Sequence, residues 1–407
     1  MKEFFQVLDI DAVLALRERF ERLDVEPVGL DRALGRILAV DITAPAPLPG
    51  FDRATMDGFA VRAASTYGAS ESSPAYLEVV GSVVMGKAPD FSVGPGQAAC
   101  IATGGMLPAG ADSVVMVEHT DNLDVNTIEV HRSVAPGQHM VAGDEDAAQG
   151  HLLLSRGSCL RPQEIGLLAA IGMQKVTVYC RPRVGIISTG DELVPCHETP
   201  APGQIRDTNS HTLAALVRES GGEPRGYGIV DDRYEMLFDA FRHGLEENDM
   251  VLVSGGSSVG MRDLTLDALE ALEESRVLFH GVSIRPGKPT ILAQCGAKAF
   301  WGLPGHVASA MVVFLVLVRP FLHYIGGRRP TEPILIKARL SRNLASVQGR
   351  VDFVRVRLLD RDGERWAEPI LGQSGLIRTM VAADGLVAID MNSEGLDQGT
   401  WVDVMPV

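Results

Sequence analysis

Several things are scarce in this chain, and each scarcity removes a class of function. The five cysteines (Cys100, Cys159, Cys180, Cys196, Cys295) are scattered, with no C-x-x-C pair. That excludes a zinc knuckle and a disulfide framework and fits a reducing compartment. Basic residues are in deficit: 37 Lys and Arg against 52 Asp and Glu give a formal net charge of −15. A nucleic-acid surface or an anionic membrane needs concentrated positive charge, so both are excluded as partners, and any anion must be bound locally. Long apolar runs are missing as well. The longest, residues 310–318, is about half of a membrane span. The N-terminus puts acids where a signal peptide has its apolar core, so the cytoplasm is the expected compartment. The chain shows no internal repeat, no low-complexity segment and no G-x-G-x-x-G after a strand, which removes a dinucleotide fingerprint.

What is present is ordinary globular material: 407 residues, 46% hydrophobic and 22% charged, enough for about two to four domains. Residues 9–23 read as an amphipathic helix capped by Asp9, and 29–39 as a second. Three prolines within 44–50 force an extended path and mark a boundary. From about 75 to 146, short strand-like runs separated by Gly, Pro and Asn predict an all-β module. A helix over 162–172, with Pro162 in its first turn and Gly172 at its end, is expected to rejoin the N-terminal segment and make that module an insertion. Residues 183–325 alternate strand and helix, which predicts a mostly parallel sheet with ligands at the carboxyl ends of its strands. Asn209 is read there as a helix cap. The helix over 306–324 is apolar almost all round, suiting a buried core or a subunit interface. After residue 328 a polar–apolar alternation predicts a small β-barrel or sandwich. The expected architecture is therefore multidomain α/β plus β: 1–44 with 147–178 as an N-terminal helical and linker domain, 45–146 as the inserted β-rich domain, 179–327 as a three-layer α/β domain, and 328–407 as a C-terminal β-barrel.

The chain centres on residues 250–263, where an apolar strand runs into Ser254-Gly-Gly-Ser-Ser-Val-Gly260 and then a helix. Small side chains let backbone N–H groups approach an anion, and the helix start favours negative charge. A second loop, Ser188-Thr-Gly-Asp-Glu-Leu193, ends the first parallel strand; a simple turn capped by Asp191 or Glu192 would look the same. Two such loops on one sheet point to a cleft. Five carboxylates, Asp57, Asp146, Glu192, Asp231 and Asp263, fall in loops. Each alone reads as a cap or turn. Gathered beside anion loops, they suit a hard cation, Mg²⁺ above all, bridging carboxylate and phosphate. Ser283-Ile-Arg-Pro-Gly-Lys-Pro-Thr290 holds Arg285 and Lys288 between prolines, as a phosphate or oxyanion contact requires. It is not a Walker loop, because Pro289 cannot open the required helix. Gly256 to Gly260 also satisfies G-x-S-x-G, with Ser258 as a hydrolase nucleophile and His280 or His306 as base, yet three residues separate it from the helix that a nucleophile elbow enters directly.

Taken together these residues resemble the MoeA-type molybdopterin molybdenumtransferases, whose animal relative is the E domain of gephyrin. The ordered series that carries the likeness is Leu48-Pro-Gly-Phe-Asp-Arg-Ala-Thr-Met-Asp-Gly-Phe-Ala-Val61, Thr103-Gly104, Gly143-Asp-Glu-Asp146, Ser188-Thr-Gly-Asp-Glu-Leu193, Gly203-Gln-Ile-Arg-Asp-Thr-Asn209, Ser254 through Asp263, Arg285-Pro-Gly-Lys-Pro289 and Gly302-Leu-Pro-Gly305. The resemblance implies an elongated homodimer of four-part subunits whose clefts are shared between subunits. It implies insertion of molybdate into the dithiolene of adenylylated molybdopterin with Mg²⁺, hydrolysis of the adenylate, and release of AMP and molybdenum cofactor. A molybdopterin adenylyltransferase is the implied protein partner.

By the same resemblance, substrate contacts fall to Thr103, Gly104, Ser188, Thr189, Gly190, Asp207, Asn209, Ser254, Gly255, Gly256, Ser257, Val259, Gly260, Arg285, Pro286, Gly287, Pro304, Gly305 and His306. Asp231, Asp263 and Glu192 are the implied metal ligands. Asp57, Asp146 and Lys288 join them as catalytic residues, the first two completing the cleft from the β module. Where the family usually reads Leu-Pro-Gly-Asn-Pro-Val-Ser, this chain has Leu303-Pro-Gly-His-Val-Ala-Ser309, and Arg285 stands where lysine is common. Those departures border the oxyanion site, so tungstate stays beside molybdate as substrate, and a non-catalytic scaffold of the same family is the alternative role.

Overall fold

A computed structural model describes residues 7–255, 261–361 and 363–407, with 261–263 described as backbone alone. The chain divides into two compact units, one made of residues 1–39, 156–161 and 175–407, the other of 40–155 and 162–174.

The larger unit is built on a six-stranded sheet in the order Glu223–Val230, Arg183–Thr189, Met250–Ser254, Lys298–Leu303, Ile291–Cys295, Ser275–His280. The first four strands run parallel, Ile291–Cys295 runs antiparallel to them, and Ser275–His280 pairs antiparallel with it and so runs with the first four. Met250–Ser254 is apolar at successive positions because both its faces are covered. Met250 and Leu252 point into one hydrophobic core with Leu213, Trp301 and Phe321. Val251 and Val253 point into another with Leu237, Phe241 and Phe300. The two-residue period of the strand thus splits the apolar residues between two helical layers. Helix Tyr234–Glu247 buries Leu237, Phe241 and Leu245, four residues apart on one stripe.

Residues 336–406 close a barrel of five strands. Val351–Arg361 pairs with both Glu364–Pro369 and Gly385–Ile389, and Ile336–Leu340 and Trp401–Pro406 complete the ring. Its core takes alternate residues such as Val356, Ala367, Val387 and Val404. Strand Ile284–Arg285 pairs in parallel with Val351 and Asp352 and ties the barrel to the α/β sheet.

Val307–Ile325 is long and apolar enough to cross a membrane by length and composition, and 67% of its apolar window is buried in the fold. It serves as a core helix. Phe314–Val318 within it is a π turn just ahead of Pro320, which cannot donate to the helix ladder.

In the smaller unit a six-stranded sheet has the order Ser113–Met116, Gly58–Val61, Gln97–Ile101, Ala75–Ser82, Thr127–Val130, Thr120–Asn122. Gly58 is forced by close approach, since a Cβ there would lie 1.9 Å from the Val115 carbonyl oxygen.

Three expectations change. The helix expected over 29–39 is absent: Val25–Gly29 is a strand paired with Lys175–Tyr179, followed by one 3₁₀ turn, Leu30–Arg32. Tertiary pairing overrides the helical pattern, and Gly35 at φ +73° ends the turn. The helix at the N-terminus is also shorter than 9–23, running Ile10–Ala15 with Asp9 accepting from Ala12 N, then a 3₁₀ turn Leu16–Arg19. Finally, helix Pro162–Ala170 clusters with residues 40–155 and not with the N-terminal segment. The smaller unit begins and ends where Ile42–Thr43 pairs with Leu152–Leu154, so its ends are fixed by hydrogen bonds outside 45–146.

Candidate functional site

Four parallel strands release their chains at one edge of the large sheet, and a cleft of about 1200 Å³ forms there. Thr189 and Gly190 follow the first strand, Asp232 follows Glu223–Val230, Ser254 and Gly255 end the central strand, and Pro304 to His306 follow Lys298–Leu303. This is where an open α/β sheet leaves room for ligands. The strand ends are packed against each other. A Cβ on Gly255, at φ +115°, would lie 2.1 Å from the Thr189 carbonyl oxygen, so only glycine fits that approach. Ser188 stays buried behind the wall, its hydroxyl 3.5 Å from that of Ser254.

The acidic wall is made by Glu192 and Asp232. Asp231, expected to fill this role, is exposed and does not line the cleft. Val230, the last residue of its strand, is buried; of the two acids in the turn after it, Asp231 is exposed and Asp232 is half-buried at the cleft. Burial pushes the Asp232 carboxyl up, and Asp191 and Glu192 raise it further against the pull of the Thr189 hydroxyl. Thr189 Oγ1 and Asp232 Oδ1 are both buried without a hydrogen-bond partner among the described residues.

Asp207 and Asn209 stand at the start of helix Asn209–Glu219. The cap differs from expectation, because Asp207 Oδ1 accepts from Ser210 N at 3.1 Å. Asn209 instead donates from Nδ2 to the Gly305 carbonyl at 2.8 Å, and its buried Oδ1 has no partner among the described residues. His306 receives or gives a hydrogen bond at Nδ1 with the Ser374 hydroxyl, 2.8 Å away.

The opposite wall is basic. Arg285, Pro286, Gly287 and Lys288 line it, in a turn closed by Thr290 Oγ1 donating to the Gly287 carbonyl at 2.7 Å. Arg285 Nη1 reaches Asp352 Oδ2 at 3.3 Å, and Arg350 Nε donates to the other oxygen at 3.0 Å. Arg355 is buried, donating to Thr379 Oγ1 at 2.6 Å and to the Gly372 carbonyl at 2.7 Å, and its Nε has no partner among the described residues. Burial, then the nearby Arg285, lowers the Arg355 guanidinium. Arg285 and Arg350 therefore share the buried Asp352 carboxylate, with Arg355 close enough to Arg285 to feel its charge, and an anion is the natural complement. Arg350, Asp352 and Arg355 were not foreseen. The signal was in the strand itself: Val354 and Val356 face the barrel core, so Arg355 faces away from it.

Other expected residues fall elsewhere. Asp57, Asp146, Thr103 and Gly104 belong to the smaller unit. There, Asp57 Oδ1 accepts from Thr103 N at 2.7 Å and from Thr103 Oγ1 at 2.9 Å, and those bonds hold its carboxyl below the usual range. Asp146 is exposed. Gly256, Ser257, Val259 and Gly260, like Ser258, lie outside the described residues, as does the side chain of Asp263. Among the described residues no three His, Cys, Asp or Glu side chains form a metal-ready group.

Comparison with known proteins agrees with this geometry. The model of the MoeA N-terminal region (domains I and II) matches residues 8–172, that of a probable molybdopterin binding domain matches 185–324, and that of the MoeA C-terminal region (domain IV) matches 337–407. A putative molybdopterin biosynthesis protein of Methanocaldococcus jannaschii is 37% identical over 94% of this chain and 92% of its own length. The molybdopterin molybdenumtransferase of Bacillus subtilis is 32% identical over 94% and 90%. A molybdopterin biosynthesis MoeA protein from Pyrococcus horikoshii superposes with a TM-score of 0.84 at 32% identity, over 98% of this chain and all 100% of that one. The three matched regions in order, and relatives similar along almost the whole length, establish that this chain belongs to the MoeA family.

Proposed function

We propose that this protein is a molybdopterin molybdenumtransferase, a metal-dependent transferase of molybdenum-cofactor biosynthesis that takes adenylylated molybdopterin and molybdate and releases AMP and the cofactor. One observation carries the reading: among the described residues, buried polar atoms on Thr189, Asn209, Asp232 and Arg355 lack partners, and all four residues line one cleft. Buried polar groups are normally hydrogen-bonded, so four orphans around one cavity call for a polar ligand.

The two walls suit the two kinds of charge in such a substrate. Backbone N–H groups at the strand ends and Arg285, Lys288, Arg350 and Arg355 receive the phosphates and the tetrahedral oxyanion. Glu192 and Asp232 offer hard oxygen donors at the opposite wall, and the unpartnered Oδ1 of Asp232 fits a Mg²⁺ ligand. Such an ion, when bound, polarises the pyrophosphate bridge. Asn209 fixes the loop of Pro304 to His306 so that its backbone stays aimed at the cleft. His306 and Arg285, both departures from the usual family pattern, place the choice between molybdate and tungstate at that loop.

Asp57 and Asp146 complete the cleft in the homodimer that the family forms, and a molybdopterin adenylyltransferase supplies the substrate in the cytoplasm. Incubating the purified protein with adenylylated molybdopterin, molybdate and Mg²⁺ tests it: AMP should appear only when all three are present, and no AMP under those conditions rejects the assignment.

A further inference from the structure

A second cavity in the larger unit, of about 420 Å³, shares no residue with the cleft. It lies at the C-terminal ends of helix Asn209–Glu219 and of the apolar core helix, and is lined as well by Arg36, Tyr179 and Arg181. Its lining is unusually basic for a chain of net charge −15: Arg36, Arg181, Arg218 and Arg328 face one lining carboxylate, Glu219.

The charges can be followed one by one. Arg36 is 8% exposed; its Nη2 donates to Glu26 Oε1 and to the Tyr179 carbonyl, while its buried Nε has no partner among the described residues. Glu219 sits close enough to Arg319 to act on it. Arg181, Arg218 and Arg328 have no carboxylate within ion-pair distance among the described residues. Arg328 Nη1 donates to His323 Nε2 at 3.4 Å, which positions it against a neutral ring. Helix C-termini carry about half a negative charge each, so two of them offset about one of these three cations. The last-turn carbonyls of both helices are already bonded by backbone N–H groups, as in Gly222 N to Val217 O and Gly326 N to Leu322 O, so the arginines are not needed as caps. Arg181 and Arg218 are exposed and Arg328 half-buried, so roughly two positive charges have water but no carboxylate partner around a partly open cavity that Arg36, with its orphaned Nε–H, also lines.

We infer that this cavity is a second binding site, for a tetrahedral dianion of the phosphate type. The test is calorimetric titration of inorganic phosphate into the full-length protein carrying Lys288→Ser and Arg350→Ser, which weakens anion binding in the cleft. Saturable binding should persist there, should weaken at least tenfold on adding Arg218→Ser and Arg328→Ser, and should largely return with Arg218→Lys and Arg328→Lys. No saturable binding in the cleft variant, or binding unchanged by the serine pair, overturns the inference. Displacement of phosphate by molybdate or by AMP then separates an inorganic anion from a phosphate monoester.

Discussion

Asn209 donates from its side-chain amide to the main-chain oxygen of Gly305, 2.8 Å away, joining the start of a helix to the loop after a strand nearly a hundred residues later. Replacing Asn209 by Ala removes that bond and leaves the Gly305 carbonyl to find another donor. A cost of about 1 kcal/mol in stability is expected, readable in denaturant titration. Turnover should fall much further, by at least tenfold, because the loop at the cleft loses its tether. Equal losses in stability and activity would argue that the bond is merely structural.

The neighbouring acids Asp231 and Asp232 should behave oppositely. Asp231 is exposed and outside the cleft, so Asp231→Asn should leave Mg²⁺-dependent turnover within about twofold. Asp232 is half-buried beside two other acids that raise its carboxyl. Asp232→Asn should abolish turnover while leaving the melting temperature at neutral pH unchanged or higher, since it removes a charge that burial disfavours. A steady-state assay paired with a thermal melt decides it.

His323 predicts the acid limb of the stability curve. Burial, with Arg328 and Arg319 nearby, pushes its pKa from 6.5 down to about 4. The ring is neutral in the folded protein and protonates more readily when unfolded. Its contribution is therefore complete above pH 6.5 and is lost as pH falls toward 4, at up to about 1.4 kcal/mol per pH unit. His323→Gln should flatten that stretch in urea titrations at successive pH values. An unchanged slope would show that the ring is not held neutral.

In the smaller unit, Thr103 gives Asp57 two hydrogen bonds, one from the backbone and one from the hydroxyl. Thr103→Ala removes only the second. The Asp57 pKa, followed by carbon NMR, should rise but remain below its ordinary value, because the backbone N–H still donates. With its pKa depressed in the fold, Asp57 stabilises at neutral pH and loses that effect as pH falls through the depressed value. A full return to the ordinary value would mean that the hydroxyl alone sets it.

Much of this was readable beforehand. The parallel sheet announces itself in Met250–Ser254, where every residue is buried, because covering on both faces removes the polar half of the strand pattern. The cleft residues at the strand ends follow from glycines that only close backbone contact explains. The segment 29–39 misled because helical spacing there competes with distant backbone partners, Leu160 for Gly35, Ser158 for Leu38 and Thr177 for Ala39, which no local pattern reveals. Asp231 and Asp232 both lie past the end of strand Glu223–Val230, where no strand period tells which of the two turns inward. The basic wall from Arg350 and Arg355 depends on where the barrel docks, a relationship that only the pairing of Ile284–Arg285 with Val351 and Asp352 discloses.

The most direct measurement is the equilibrium affinity of the purified protein for adenylylated molybdopterin, compared with its Lys288→Ser/Arg350→Ser variant and with Arg218→Ser outside the cleft. If the cleft between the strand ends and the barrel holds the substrate phosphates, the first variant binds at least tenfold more weakly and the second binds like the parent. Undiminished binding by the first variant would contradict the account.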